Sequence, residues 1–305
     1  MRFGLVGTGY WAGFTHAPAL ATTPGATLAA VWGRNPEAAS ALAARYGAAH
    51  YDDFGEFLAQ VDAVAFAVPP DVQAPLAIRA AEAGKHLLLE KPIALSVEDA
   101  DAVVTAVEKA GVASVVFFTW RFNREIRAWL ADEQARGGWS GEGWSGGTAV
   151  WLGNSLQPGS PFNTPWRQEK GALWDLGPHL VGMLWACLGP VVAVTAVAGR
   201  GDVTHLVLDH QGGASSTTTM AQDAPEAASG YNLFVWGAAG RSVMPATPPD
   251  PEESLRVAAA ELIAAASAGR ADHPVDVRFG RDVVRVLAEA ESQLPAGRFA
   301  PRSSQ

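Results

Sequence analysis

The chain predicts an α/β protein: an N-terminal Rossmann-type doubly wound parallel sheet, followed by a C-terminal α+β domain containing an open, mainly antiparallel sheet. Three observations predict it. The first dozen residues run a short apolar strand directly into Gly7-Thr8-Gly9-Tyr10-Trp11-Ala12, a turn of the G-x-G-x-x-A form. From Met1 to about Phe118, short β-like runs alternate with alanine-rich amphipathic segments, the pattern of a parallel sheet covered on both faces. After Phe118 tryptophan and glycine become frequent, and β-like runs joined by glycine-rich turns then suggest an antiparallel sheet.

Glycine-rich turns are common, and this one gains its meaning from what each residue does and from the elements that flank it. A strand that turns sharply into a helix needs Gly7, and a pyrophosphate approaches the main chain closely only where Gly9 carries no side chain. Ala12 lets helix and strand pack closely, and the helix N-terminus is left to receive negative charge. Ala17 to Leu20 reads as helix and Ala26 to Trp32 as a second strand, which supplies the β-α-β context that the motif requires. Further strands are predicted at residues 63–68, 86–89 and 113–117, and helices at 36–46, 72–83 and 97–110. The last of these has Ser96 before it, Glu98 and Asp99 in its first turn and Gly111 after it, as capping and helix-dipole rules expect. Residues 1–119 are read as a dinucleotide-binding domain and 120–305 as a second, α+β domain. In the second, 137–147 reads as a loop, 148–152 as a strand and 153–170 as a polar loop. A helix ending at Gly189-Pro190 follows, then strands near 191–198, 204–210, 214–220 and 233–237, and helices over 251–268 and 280–293. The final helix is expected to pack back on the first domain.

Composition excludes several classes. The 305 residues are 49% apolar, long enough for two domains and too apolar for disorder. A single cysteine, Cys187, allows no internal disulfide and suits a reducing compartment, so a cytoplasmic location is expected. A strand is predicted within two residues of Met1, so no signal peptide is expected, and no apolar run reaches the roughly 18 residues of a membrane span. A net charge of −9 repels nucleic-acid phosphates, which leaves a small molecule as the expected partner. The histidines lack paired ligand spacing, so no metal is expected.

Four segments in order resemble the Gfo/Idh/MocA family, whose namesakes are glucose-fructose oxidoreductase and inositol dehydrogenase. They are GTGYWA at the start, PPDVQAPLAIRAAEAGKHLLLEKP from Pro69 to Pro92, WRFN at Trp120, and GALWDLGPH from Gly171 to His179; the resemblance extends to the closing FGRDVVRVLAEAESQ. It implies a nicotinamide cofactor bound by the first domain, and a second domain that supplies the substrate pocket and the oligomer interface. It implies too that the Lys of the E-K-P motif works with the Asp and His of a D-x-x-x-H motif, here Lys91, Asp175 and His179. The cofactor positions it implies are Gly7 through Ala12, Gly33, Arg34, Asn35, Pro69, Pro70, Glu90 and Lys91. The chain departs from the family pattern at Gly182, Gln73 and Lys170-Gly171, positions that bear on substrate identity.

The residues themselves suit these roles. Pro92 biases Lys91 toward extended backbone, so its ammonium projects from a strand end at the carboxyl edge of a parallel sheet, where it can stabilise a developing alkoxide. A surface lysine paired with Glu90 is the plain alternative. Asp175 and His179 are four apart and share a face if helix is already formed there, with Pro178 suited to a first turn. Imidazole is the usual acceptor of an alcohol proton, and a carboxylate beside it can orient it or bind a second hydroxyl. The alternative makes Asp175 an N-cap and His179 a buried bystander. At the end of the second strand, where an acid would bond the ribose diol of NAD, the chain has Gly33-Arg34, which favours NADP over NAD unless Arg34 is only a solvated charge. Trp120, Trp166 and Trp174 are candidates to stack on a sugar, and Arg121, Phe122, Asn123 and Arg167 are candidate pocket residues. The expectation is an NAD(P)-dependent oxidoreductase acting on a secondary alcohol or ketone of a sugar, cyclitol or polyol. A dinucleotide-binding sensor of the same fold without turnover is the alternative. A homodimer or homotetramer is expected, formed through an exposed apolar sheet face with Leu206, Leu208 and Val235 among its residues.

Overall fold

The computed structural model describes residues 1–136 and 143–296, which divide into two compact units: residues 1–123 with 249–284, and residues 124–248 with 285–296. Of the predicted loop over 137–147, residues 137–142 lie outside the described part, and Gly146-Gly147 already belong to a strand.

The first unit holds a six-stranded parallel sheet made of β1 (Arg2–Val6), β2 (Thr27–Trp32), β3 (Ala49–His50), β4 (Ala63–Phe66), β5 (His86–Glu90) and β6 (Ser114–Phe117). Their order is β3-β2-β1-β4-β5-β6, so the chain reverses direction across the sheet between β1 and β4. The strands are near-continuous apolar runs because both faces are covered; β4 and β6 are buried at every residue. A π-helical stretch Ala12–His16 leads into α1 (Ala17–Thr22), followed in order by α2 (Pro36–Arg45), α3 (Phe54–Ala59), α4 (Pro70–Glu82), α5 (Val97–Ala110) and the single turn α6 (Thr119–Phe122). Ser96 caps α5 by accepting from the Asp99 N–H at 3.1 Å, and Gly111 ends it in the left-handed conformation at φ 65°. β3 and α3 were not foreseen, since two and six residues are too short to show a period. Phe3, Phe57, Phe66, Leu87 to Leu89 and Phe117 form the core.

The second unit begins with α7 (Arg124–Ala135), another element absent from the sequence reading although Ile126, Trp129, Leu130 and Glu133 mark its buried stripe. β7 (Gly146–Leu152) leads to α8 (Pro165–Asp175) and α9 (Gly177–Leu188), then to β8 (Val191–Ala198), β9 (Thr204–His210), β10 (Ser215–Ala221), β11 (Gly230–Gly237) and β12 (Gly240–Val243). The sheet order is β12-β11-β7-β10-β9-β8; every pair is antiparallel except β7 with β10. The predicted loop over 153–170 is corrected at its end: α8 starts at Pro165, with Thr164 before it, because proline suits the first helical position.

The predicted exposed face is also corrected. Leu206, Leu208 and Val235 are buried on the side that packs against α9, and the outward face carries Val197, Val207, Trp236 and Val243 instead. α10 (Pro251–Ser267), capped by Asp250, belongs to the first unit and packs on α1. α11 (Val277–Ser292) has its first eight residues in the first unit and the rest in the second.

Candidate active site

In the first unit the turn has the geometry that its glycines imply. Gly7 stands at φ 128° and donates to Trp32 O at 2.9 Å; a Cβ there would lie 2.5 Å from Ala67 O. At Gly9 a Cβ would meet no described residue within 4 Å, so among the described residues the main chain is open on that side, with helical turns directly after it. This cradle fits a pyrophosphate. Tyr10 is exposed and stacks on Phe14 at 5.0 Å. Thr8 packs against Gly33, where a Cβ would stand 2.7 Å from Thr8 Cγ2. Arg34 is exposed, and Asn35 caps α2 by accepting from the Ala38 N–H at 3.0 Å.

Pro69 precedes α4 and Pro70 opens it, placing Gln73 one turn in. Gln73 is fully buried and grips the E-K-P segment: Nε2 donates to Glu90 O at 2.8 Å and Pro92 O at 3.3 Å, while Oε1 accepts from Glu90 N at 2.8 Å. Lys91 thus follows β5 at the carboxyl edge of the sheet, half-buried, with a cis peptide bond to Pro92. Glu90 Oε1 accepts from Trp11 Nε1 at 2.6 Å and lies 2.9 Å from His16 Nε2. Arg121 stacks over Phe279, and Asn123 ends α6.

In the second unit, Asp175 closes α8 and His179 lies in the first turn of α9, both buried. The two helices meet at Leu176, which keeps helical dihedrals; Pro178 lacks the N–H that would continue the ladder. Upstream, Gly171 at φ 63° and ψ −165° kinks α8. Asp175 is not the N-cap of α9, since Leu176 fills that position with no side-chain cap. One carboxylate oxygen of Asp175, Oδ2, accepts from Arg167 Nε at 2.8 Å and from Gln222 Nε2. The Arg167 guanidinium sits over the rings of Trp166, at 4.6 Å, and Phe162, at 5.4 Å. The His179 ring lies 5.4 Å from Trp151, itself 6.1 Å from Tyr231. Behind them, Gln222 N donates to Asp202 Oδ2 at 2.5 Å. Burial pushes the Asp202 carboxyl up, against the pull of that N–H, and burial likewise raises the Tyr231 phenol.

Trp174 and Trp120 are corrected as sugar-stacking candidates: both are core residues, Trp174 having no exposed surface at all. Sequence reasoning missed Trp151, whose signal was an aromatic inside a predicted strand, and Gln222, which carried none. Among the described residues no group of three His, Cys, Asp or Glu side chains is placed to hold a metal.

Residues 1–118 match a family model described as the GFO_IDH_MocA oxidoreductase family, NAD-binding Rossmann fold, and residues 142–243 match the GFO/IDH/MocA C-terminal domain. The chain belongs to the Gfo/Idh/MocA family. Within the family it is 33% identical over 176 residues to levoglucosan dehydrogenase of Pseudarthrobacter phenanthrenivorans, covering 53% of this chain and 43% of that protein. It is 38% identical over 129 residues to inositol 2-dehydrogenase of Rhizobium meliloti, covering 42% and 39%. The matched stretches thus span less than half the length of these Gfo/Idh/MocA relatives. A solved levoglucosan dehydrogenase in complex with NADH and levoglucosan superposes with a TM-score of 0.80 over 96% of this chain and 97% of that one, at 21% identity, a likeness of fold.

Proposed function

We propose that this chain is a nicotinamide-dependent oxidoreductase that interconverts a secondary alcohol and a ketone in a neutral sugar, cyclitol or related polyol. The observation that carries the reading is the second unit's buried Asp175 and His179 beside Trp151, in a chain whose first unit has the open Gly7–Ala12 cradle and Lys91 at the carboxyl edge of its sheet. The relatives named dehydrogenases of levoglucosan and inositol support the substrate class.

The residues that would hold the dinucleotide are Gly7 to Ala12 through main-chain N–H groups, with Gly33-Arg34 near the adenosine ribose; the bound nicotinamide supplies the hydride acceptor or donor. His179 takes the hydroxyl proton as general base, a role worth roughly 10²- to 10⁴-fold in rate. Lys91 donates a hydrogen bond to the substrate oxygen as charge grows on it, and loss of such a donor costs about 10²- to 10³-fold. Asp175, held by Arg167 and Gln222, accepts from His179 or from a second substrate hydroxyl. Trp151 and Tyr231 offer aromatic surface for the C–H face of a sugar.

NADP is favoured on Arg34 alone, an exposed guanidinium in a strand end without an acid. The protein works as a homodimer or homotetramer, in a reducing, cytoplasmic compartment suited to its one cysteine. The test is turnover of a panel of inositols, anhydrosugars, aldoses and ketoses with NAD(H) and NADP(H), followed at nicotinamide absorbance. At least one polyol should turn over, and Lys91→Ala should lower kcat at least 100-fold with cofactor binding retained. No turnover with any of them, or wild-type kcat in Lys91→Ala and His179→Ala, would overturn the assignment.

A further inference from the structure

Glu90 is placed where the turn and the lysine loop meet. Its Oε1 serves two donors, the indole N–H of Trp11 at 2.6 Å and the ring of His16 at 2.9 Å. Trp11 lies within the glycine turn and His16 closes the π-helical stretch behind it. A carboxylate oxygen accepts, so the contact suits the tautomer with the proton on His16 Nε2; the ring has no exposed surface, stands edge-on to Phe117 at 6.2 Å, and its Nδ1 has no hydrogen-bond partner among the described residues. On the other side of the same residue, Gln73 bonds both the N–H and the C=O of Glu90 and reaches Pro92 O.

The path from turn to lysine is therefore short, and its centre, the Glu90–His16 contact, is largely shielded from water. It runs from Trp11 and His16 to the Glu90 carboxylate, and from the Glu90 main chain to its neighbour Lys91. The Glu90 side chain is 12% exposed and that of His16 0%. An oxygen shared by a buried donor, His16, and a half-buried one, Trp11, cannot follow one without disturbing the other, because a stranded N–H shielded from water bears a desolvation penalty. π-helical stretches inside helices are frequent at functional sites, and this one carries the histidine.

We propose that Glu90 is a positioning residue that couples occupation of the Gly7–Ala12 turn to the placement of Lys91. The proposal rests on the reading of that turn as a pyrophosphate site, and ADP separates the two because it fills such a site with no nicotinamide half to touch Lys91. Calorimetry measures ADP binding, and hydrogen exchange with mass spectrometry follows the segment 86–94. In the wild type, ADP should slow exchange of that segment by about 5- to 150-fold, the usual span of a coupling between sites.

In Trp11→Phe and Glu90→Ala, with ADP raised to the saturation that calorimetry measures for each variant, the segment should exchange as in the free protein. Glu90→Gln, whose amide oxygen still accepts from Trp11, should restore the protection. Thermal melts check that each variant folds, and Trp11→Phe carries the test if Glu90→Ala does not. ADP binding without protection in the wild type, or equal protection in Trp11→Phe, would overturn the coupling. Failure of both ADP and NADH to bind the wild type would instead overturn the cofactor reading on which it stands.

Discussion

Arg34 and Gly33 show how much one residue can decide and how its neighbours limit the test. A guanidinium at the end of β2 favours a 2′-phosphate, and a carboxylate there would repel it and accept from a ribose diol. Gly33→Asp is the obvious exchange, but its Cβ would stand 2.7 Å from Thr8 Cγ2, inside the turn itself. Arg34→Ala avoids that contact because Arg34 is exposed. It should weaken NADP(H) binding about tenfold or more and leave NAD(H) within about threefold, the loss expected of a charged hydrogen bond of roughly 1.5–3 kcal/mol. Equal Kd changes for the two cofactors would show that Arg34 does not read the 2′ position. The turn residues were legible because each glycine answers a local steric demand. Arg167 was legible only as a possible pocket residue: its bond to Asp175 crosses the Gly171 kink, where helical spacing fails. Gln222 reaches Asp175 from 47 positions away, and no local pattern announces that.

Elements were legible where their own period and caps specify them. α5, with Ser96 before it and Gly111 after it, spans 97–110 as expected. Strand alternation in β9 showed that Leu206 and Leu208 share a face, but a period of two cannot say which face a helix will cover. That depends on α9, whose apolar residues lie on that side. The same strand ends on His210, whose Nδ1 lies 2.8 Å from Gly189 O at the end of α9 and whose Nε2 lies 2.8 Å from Ser216 Oγ in β10. Burial lowers its pKa below the ordinary 6.5, and burial does the same to His86, whose Nδ1 accepts the Ala113 N–H. Each binds its proton less readily in the fold than in the unfolded chain, where it titrates near 6.5, so stability is greatest above that pH and falls as pH drops below it. The thermal midpoint should therefore fall between pH 7 and pH 5, and His210→Gln should flatten that slope without abolishing it, since His86 acts in the same sense. An unchanged slope in the variant would remove His210 from this role.

At the scale of the molecule, a change of texture near residue 119 marks where the chain leaves its first sheet, but the inclusion of residues 249–284 in the first unit leaves no compositional mark. The second unit has helices on one side of its sheet. On the other, Val197, Val207, Trp236 and Val243 are about half exposed among threonines such as Thr148 and Thr217. An apolar face of this kind is unusual on a monomer, and two-fold pairing of identical faces is the commonest way to bury it. Because a two-fold axis places both copies of a substitution in one contact, Val207→Glu would bury two unpaired carboxylates there. At about 3–5 kcal/mol for an uncompensated buried charge, the dimer dissociation constant should rise at least 100-fold. Light scattering at micromolar concentration should give a dimer or tetramer for the wild type and a smaller mass for Val207→Glu with an unchanged melting profile. Leu206→Glu, one position away but buried on the α9 side, should instead lower the melting temperature. A monomeric wild type would refute the assembly, and a Val207→Glu variant of unchanged mass would move the interface to another face.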